Sequence, residues 1–194
     1  PVTRIIAGRA KGHPVRTPTG SATRPTTDRV REAAFSLLAD WAGTLGDPAE
    51  EQLTGIAFLD LYAGSGAIGL EAASRGAAPV WAVESDRATA RLVRENAAAL
   101  GLRLTVRAGT VEKVLSGGTA TPFDVIWADP PYDLPGSRLA PVLDQATDWL
   151  AQDGLLVVER SSRDLPPDFP AQLSHSWPRR YGETTLYFAR RPPA

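Results

Sequence analysis

From Ile56 onward the chain alternates between two apolar patterns. Short, largely apolar runs at 57–62, 79–84, 123–129 and 155–159, and a more mixed one at 104–108, have the length of strands. Between them, residues 67–75, 86–100 and 139–150, with a shorter stretch at 111–115, place apolar side chains at helical spacing, and Gly76 and Gly101 stop the first two. Strands and helices alternating at this interval predict a parallel, doubly wound sheet. The pattern changes near the end. Runs at 172–177 and 184–190 are joined around Arg179 to Gly182 with no helix between them. They should form an antiparallel hairpin at the sheet edge, giving an α/β fold with a mostly parallel sheet.

Upstream of the alternation, Val30, Ala33, Ala34, Leu37, Leu38 and Trp41 recur at helical spacing, which predicts a helix over 28–41 capped by Thr27 or Asp28. Residues 4–17 read as a short hairpin turning at Gly8 to Gly12, and a Thr- and Pro-rich stretch, 17–27, follows. The Gly-, Pro- and acid-rich loop 43–55 is the expected boundary between arm and core. The chain therefore divides into an amino-terminal hairpin extension, 1–27, and a single larger domain, 28–194, with its first helix at 28–41 and its core from 56.

Composition narrows the chemistry. In 194 residues there is no cysteine, so no disulfide framework or thiolate metal site exists, which fits a cytoplasmic protein. His13 and His175 are the only histidines, which excludes a His-rich metal centre. No apolar run reaches the roughly 18 residues of a membrane span, and the basic, polar stretch 1–16 lacks the apolar segment of a leader. Net charge is −1 but is uneven: residues 1–31 carry seven basic groups against Asp28, and the remainder carries 14 basic against 21 acidic groups. A basic arm on an acidic body suits contact with phosphates.

Two segments carry chemistry. The first runs from strand Phe58-Leu59-Asp60-Leu61-Tyr62 into Ala63-Gly64-Ser65-Gly66-Ala67-Ile68-Gly69. Gly64 and Gly66 permit a tight turn and close approach of a ligand, and Gly69 permits helix and strand to pack closely. Fifteen residues past Gly69, at the end of the next strand, Glu84 can accept hydrogen bonds from both ribose hydroxyls. The combination points to an adenosine-containing cofactor, either a dinucleotide or S-adenosylmethionine. Asp60 favours the latter: a carboxylate just before the glycine loop can meet an ammonium group, directly or through water, but would repel a pyrophosphate.

The second segment is Asp129-Pro130-Pro131-Tyr132, which follows the run at 123–128. Two prolines force the chain to turn there. The turn leaves a carboxylate, a proline carbonyl and an aromatic ring at the open end of the sheet, beside the glycine loop, where ligands of such sheets bind. A planar amine needs two acceptors for its N–H groups and a flat surface for its ring. Asp129 and the Pro130 carbonyl supply the first and Tyr132 the second, so methyl transfer to an exocyclic amine of a flipped base follows.

With these residues in view, the chain resembles the RsmD-type bacterial methyltransferases. The resemblance rests on Arg4-Ile5-Ile6-Ala7-Gly8 with Lys11-Gly12, on Thr23-Arg24-Pro25-Thr26-Thr27-Asp28-Arg29-Val30-Arg31-Glu32-Ala33, and on the two segments above. It implies a seven-stranded Rossmann-like methyltransferase sheet with a small amino-terminal hairpin, and S-adenosylmethionine as donor. The implied target is the N2 amine of a guanine in 16S ribosomal RNA, presented in an assembled or partly assembled small subunit; the small size and short single core favour a monomer. Carried over by position, Asp60, Tyr62, Gly64, Ser65, Gly66 and Glu84 hold the cofactor, and Asp129, Pro130, Pro131 and Tyr132 hold the guanine. Arg4, Arg9, Lys11, Arg24 and Arg29 are the expected RNA contacts, with Arg24 and Arg29 approaching RNA or shaping the cofactor side of the pocket. One position departs from the family pattern. Where relatives place Asp or Asn for the adenine amine, this chain has Gly109-Thr110, and the Thr110 hydroxyl or backbone is left to serve.

Two other readings compete. A DNA adenine-N6 methyltransferase uses the same proline turn, although 194 residues leave little room for a target-recognition segment. An NAD-dependent oxidoreductase shares the glycine spacing, but lysine occurs only at Lys11 and Lys113, so a Tyr-x-x-x-Lys pair is missing. The loop 133–138, with Pro135 and Gly136, is expected to close over the base.

Overall fold

A computed structural model describes residues 3–20 and 26–194. Arg24 and the rest of 21–25 lie outside the described residues. The chain opens with two short antiparallel strands, β1 (Thr3–Arg4) and β2 (Pro14–Val15), paired Thr3 to Val15 and Arg4 to Pro14. Helix α1 (Asp28–Ala42) follows, and a single 3-10 turn, Ala49–Glu51, interrupts the next loop. The alternating part then runs β3 (Phe58–Leu61), α2 (Ala67–Ser74), β4 (Val80–Glu84), α3 (Arg87–Leu100), β5 (Thr105–Ala108), α4 (Val111–Ser116), β6 (Phe123–Ala128), α5 (Gly136–Trp149) and β7 (Leu150–Ser161). A hairpin of β8 (His175–Tyr181) and β9 (Thr184–Arg190) ends it.

The main sheet has seven strands in the order β5-β4-β3-β6-β7-β9-β8. Strands β5, β4, β3, β6 and β7 are parallel, while β9 inserts antiparallel to β7 and β8 forms the edge. The strand order reverses at β3, which leaves a crevice at the carboxyl ends of β3 and β6, the place where such sheets bind ligands. Helices α1 and α2 cover one face with the amino-terminal arm, where Phe35 stacks on Phe58 at 6.1 Å between centroids. Helices α4 and α5 cover the other, where Trp149 stacks on Phe123 at 6.1 Å.

Local chemistry explains the element ends. Of the two candidate caps of α1, Thr27 is the one used, its hydroxyl accepting the Val30 N–H at 3.3 Å, while Asp28 pairs with Arg31 at 3.1 Å. Asp86 caps α3 through the Thr89 N–H. Helix α5 begins at Gly136 rather than at 139, because the Pro135 carbonyl already accepts the Arg138 and Leu139 N–H groups. Residues 136–138 are thus the first turn of α5, and the irregular loop is confined to 129–135. Strand β8 runs further than the expected 172–177, through Pro178, which an edge strand accommodates because its N–H is not needed by a neighbour.

The arm is bonded tightly to the rest of the chain. Ile5, Ala10 and Val15 are buried in the same cluster as Phe35 and Leu38. The Glu71 carboxylate, fully buried in α2, accepts the Ile6 and Ala7 N–H groups at 2.8 and 3.1 Å and the Arg75 Nε–H at 2.9 Å. Ser74 adds three more bonds, accepting from Arg9 N and Ala10 N and donating to the Ala7 carbonyl. Arg31, which charge alone would place among the phosphate contacts, is entirely buried: its guanidinium donates to the Arg4 carbonyl and to Asp28, and its Nε lies 3.6 Å from Glu71. Burial lowers its pKa, and the acids Glu71 and Asp28 oppose that shift. The loop 43–55 is likewise part of the packed body, since Leu53 is fully buried and its N–H bonds to the Arg75 carbonyl.

Candidate active site

Strand β3 delivers Asp60 and Tyr62 to the crevice. The Asp60 side chain is 2% exposed, and its Oδ2 accepts the Gly69 N–H at 3.0 Å. Gly69 lies in the first turn of α2, whose cap residue Gly66 has no side chain to offer, so Asp60 performs that service from the strand. Burial raises its pKa to about 7, against the lowering effect of the Gly69 N–H. Tyr62 sits at φ 57°, a left-handed conformation that a bulky residue adopts under strain. Burial pushes its phenol up to about 12. Its hydroxyl has no hydrogen-bond partner among the described residues.

Gly64 and Gly66, both at positive φ, make the turn that follows. Space beside Gly64 is open, whereas a Cβ on Gly66 would lie 2.7 Å from Val93. Gly64 is thus the point of approach for a ligand and Gly66 the point of contact with α3. Glu84, at the end of β4, accepts the Gly64 N–H at 3.2 Å through one oxygen and the Asp86 N–H at 3.1 Å through the other. Its carboxylate is fixed beside the glycine turn, where a ribose would lie. Ser65 is held through its carbonyl by the buried Asn96 amide at 3.1 Å, and the same amide donates to the Arg16 carbonyl and accepts the Arg16 N–H.

A pocket of about 280 Å³ opens on the other side of Tyr62, lined by Ser85, Thr110, Val111, Glu112, Pro131 and Leu134 among others. Thr110 does face it, but the Thr110 hydroxyl also caps α4 by accepting the Lys113 N–H at 3.2 Å. Glu112, two residues further on in the first turn of α4, brings a carboxylate to the same pocket.

The turn Asp129-Pro130-Pro131-Tyr132 closes the crevice from β6. Register pairs Leu61 with Ala128 and Ala128 with Val158, which sets Asp129 level with Glu159 on the sheet face that carries Asp60. Burial holds the Asp129 carboxyl well above its usual range, and the neighbouring Glu159 and Asp60 add to this while Arg160 opposes it. Glu159 itself is pushed up to about 7 by burial, although Thr26 donates to its Oε2 at 2.6 Å. Pro130 is buried, Pro131 is exposed, and the Tyr132 ring is 81% exposed at the rim. Beneath the turn, the nearly buried Arg160 donates to the Pro131 and Leu134 carbonyls at 3.4 and 3.0 Å. Arg4, Arg9, Lys11 and Arg29 are all exposed, with Arg4 also donating to the Gly12 carbonyl at 2.9 Å.

Asp60, Glu84, the glycine turn and Asp129 therefore meet at one crevice. Glu159, Arg160, Asn96 and Glu112 join them without having been signalled by motif. Glu159 alone was open to inference, as an acid at the end of a strand two positions removed from the switch point.

Comparison with known proteins agrees with this architecture. Residues 3–190 match the family model described as conserved hypothetical protein 95. Ribosomal RNA small subunit methyltransferase D of Escherichia coli strain K12 is 34% identical over 177 residues, which cover 88% of this chain and 81% of that protein. The structure of a hypothetical protein of Thermus thermophilus superimposes with a TM-score of 0.79 at 32% identity, covering 96% of this chain and 98% of that one. The fold alone is shared with the T. thermophilus 16S rRNA N2 G1207 methyltransferase RsmC, solved with AdoMet and guanosine, at a TM-score of 0.72 and 20% identity over 98% of this chain and 49% of that one. A match along nearly the whole chain, together with this degree of identity, shows that the chain belongs to the conserved hypothetical protein 95 family, alongside ribosomal RNA small subunit methyltransferase D, and that it is a methyltransferase.

Proposed function

We propose that this protein transfers a methyl group from S-adenosylmethionine to the exocyclic N2 amine of a guanine in 16S ribosomal RNA. The observation that carries the reading is the convergence, at one switch point, of the Glu84-braced glycine turn with the acid and exposed ring of Asp129-Pro130-Pro131-Tyr132. The residues fit the donor. Glu84 offers lone pairs beside the open face of Gly64, Asp60 places an acid below the turn, and the pocket beside Tyr62 has room for an adenine ring, with Val111, Pro131 and Leu134 as apolar surface and polar groups around them. There Glu112, with Thr110 at its cap, stands in for the missing Asp or Asn as acceptor for the adenine amine.

When bound, the donor supplies an electrophilic methyl group on a sulfonium. The protein's part is positioning. The Asp129 carboxylate and the Pro130 carbonyl each accept one N–H of the amine, which draws its lone pair out of conjugation and points it at the methyl carbon. Tyr132 stacks on the base, worth roughly 1–3 kcal/mol. Bound there, the donor would give up its methyl group to the amine held by Asp129 and Pro130 and leave as a neutral thioether, and the methylated amine would release one proton to water. Holding the reactants in line accounts for most of the rate. The exposed cations Arg4, Arg9, Lys11 and Arg29 contact the RNA backbone and, with Arg24, give a salt-dependent grip. Amino-terminal hairpin 1–27 and domain 28–194 act as one monomer on an assembled or partly assembled small subunit in the cytoplasm. No helix among the described residues is long and apolar enough to cross a membrane.

Methyl transfer from labelled donor to unmodified small subunits, naked 16S RNA and duplex DNA, with Asp129→Ala as control, tests the reading. N2-methylguanine in the subunit, lost in the variant, is the expected result. Label in DNA adenine instead would overturn it.

A further inference from the structure

Asp129 and Pro130 account for an amine but not for the choice of base, because adenine, cytosine and guanine all carry one. What separates them is the ring nitrogen beside it. Guanine presents an N1–H donor next to its N2 amine, whereas adenine and cytosine present a bare acceptor next to theirs. A group that accepts at that place selects guanine, and an ionised carboxylate is acceptor-only.

We propose that Glu159 is the specificity-determining residue of this site, its carboxylate accepting the N1–H of the flipped guanine while Asp129 and the Pro130 carbonyl hold the N2 amine. The inference rests on guanine-N2 methylation as the reaction. Three observations support it. Register sets Glu159 beside Asp129 on the sheet face shared with Asp60, so the two carboxyls line one wall of the crevice. At 8% exposed, Glu159 sits where a hydrogen bond to a base is little screened by water. Its orientation is fixed by the Thr26 hydroxyl, which donates to Oε2 at 2.6 Å and leaves the other oxygen free to accept; burial raises the Glu159 pKa to about 7 and the Thr26 bond opposes that rise. Arg160, the next residue, belongs to the other sheet face and serves the Pro131 and Leu134 carbonyls instead, so the sequence Glu159-Arg160 divides base selection from loop support.

The test uses 2-aminopurine, which keeps the 2-amino group but has a bare acceptor at N1. Small subunits are reconstituted from 16S RNA carrying guanine or 2-aminopurine at the methylated position, and kcat/KM is measured for the wild type, Glu159→Gln and Thr26→Val. The wild type should prefer guanine by roughly 100-fold, the discrimination of one well-made polar contact to a base edge. In Glu159→Gln the amide can donate to N1 of 2-aminopurine, so the preference should fall below about tenfold. Thr26→Val, which leaves the carboxyl in place, should show an intermediate preference and serves if Glu159→Gln fails to fold. A wild type indifferent to the two bases, or variants that slow both equally with the preference intact, would overturn the assignment of Glu159. Failure of the wild type to methylate guanine at all would instead remove the reaction on which it rests.

Discussion

Glu71 offers the most direct physical test of how this molecule is held together. Its carboxylate faces four donors: the Ile6 and Ala7 N–H groups, the Arg75 Nε–H and, at 3.6 Å, the Arg31 Nε. Both guanidiniums are buried, and Glu71 is itself inaccessible. In Glu71→Gln one acceptor oxygen becomes a donor amide pointed at donors, and the anion between two buried cations is lost. Breaking a buried pair from one side costs about 3–5 kcal/mol. With a urea m value of roughly 2 kcal/mol/M, the unfolding midpoint should fall by about 2 M. At about 2–4 °C per kcal/mol for a chain of this size, 4 kcal/mol corresponds to a fall in Tm of roughly 8–16 °C. Tryptophan fluorescence follows the transition, since Trp127 and Trp149 lie in the core on opposite faces of the sheet. A midpoint within about 0.3 M of wild type at unchanged m would refute the reasoning, because the arm would then be held by its apolar contacts and not through Glu71.

Other outcomes follow from the site. Asp129→Asn keeps one acceptor but loses the charge, and single-turnover methylation should slow by about 10²–10³-fold with donor affinity nearly unchanged; parallel loss of donor binding would place Asp129 at the cofactor. Asp60 is protonated more readily in the folded chain, with its pKa near 7, than in the unfolded chain near 3.8. Above about pH 4 the folded state therefore holds the extra proton, and this group lowers stability as pH rises until it ionises near 7. Asp60→Asn should remove that dependence, so its stability relative to wild type should rise by about 3 kcal/mol between pH 5 and 8 in paired urea titrations; a constant difference would count against a buried, neutralised Asp60. Arg160→Ala should loosen residues 129–135, read as faster proteolytic cleavage there and a roughly tenfold lower kcat, whereas unchanged cleavage would show the turn to be self-supporting. Gly8→Ala should unfold the arm, because a Cβ there would collide with the Ser74 carbonyl and φ is +89°; an unchanged Tm would contradict this.

The parallel strands, the glycine turn and the proline turn were legible in the sequence because each is written locally, in short, mostly apolar runs and in residues with special backbone demands. Element ends were less legible. The start of α5 at Gly136 depends on the Pro135 carbonyl as a cap, which no periodicity reports. Arg31 counts with the basic groups of the arm because charge is visible in sequence and burial is not; only the fold brings Glu71, forty residues on, to its side. Asn96 gives no signal in the sequence, since the three groups it bonds belong to Ser65 and Arg16, distant along the chain. Tertiary contacts of this kind carry no local signature.

Asn96 has a consequence for how binding events communicate. One amide grips the Ser65 carbonyl of the glycine turn and both backbone groups of Arg16 in the arm. A shift of either segment must stretch a bond that the other shares, so anything that immobilises the arm also narrows the excursions of the turn. Ordering that one ligand has already imposed need not be imposed again by the second. Linkage is reciprocal, and by whatever factor RNA on the arm tightens the hold on the donor, the donor tightens the hold on RNA. Occupation of the glycine turn and occupation of the arm would thereby reinforce one another.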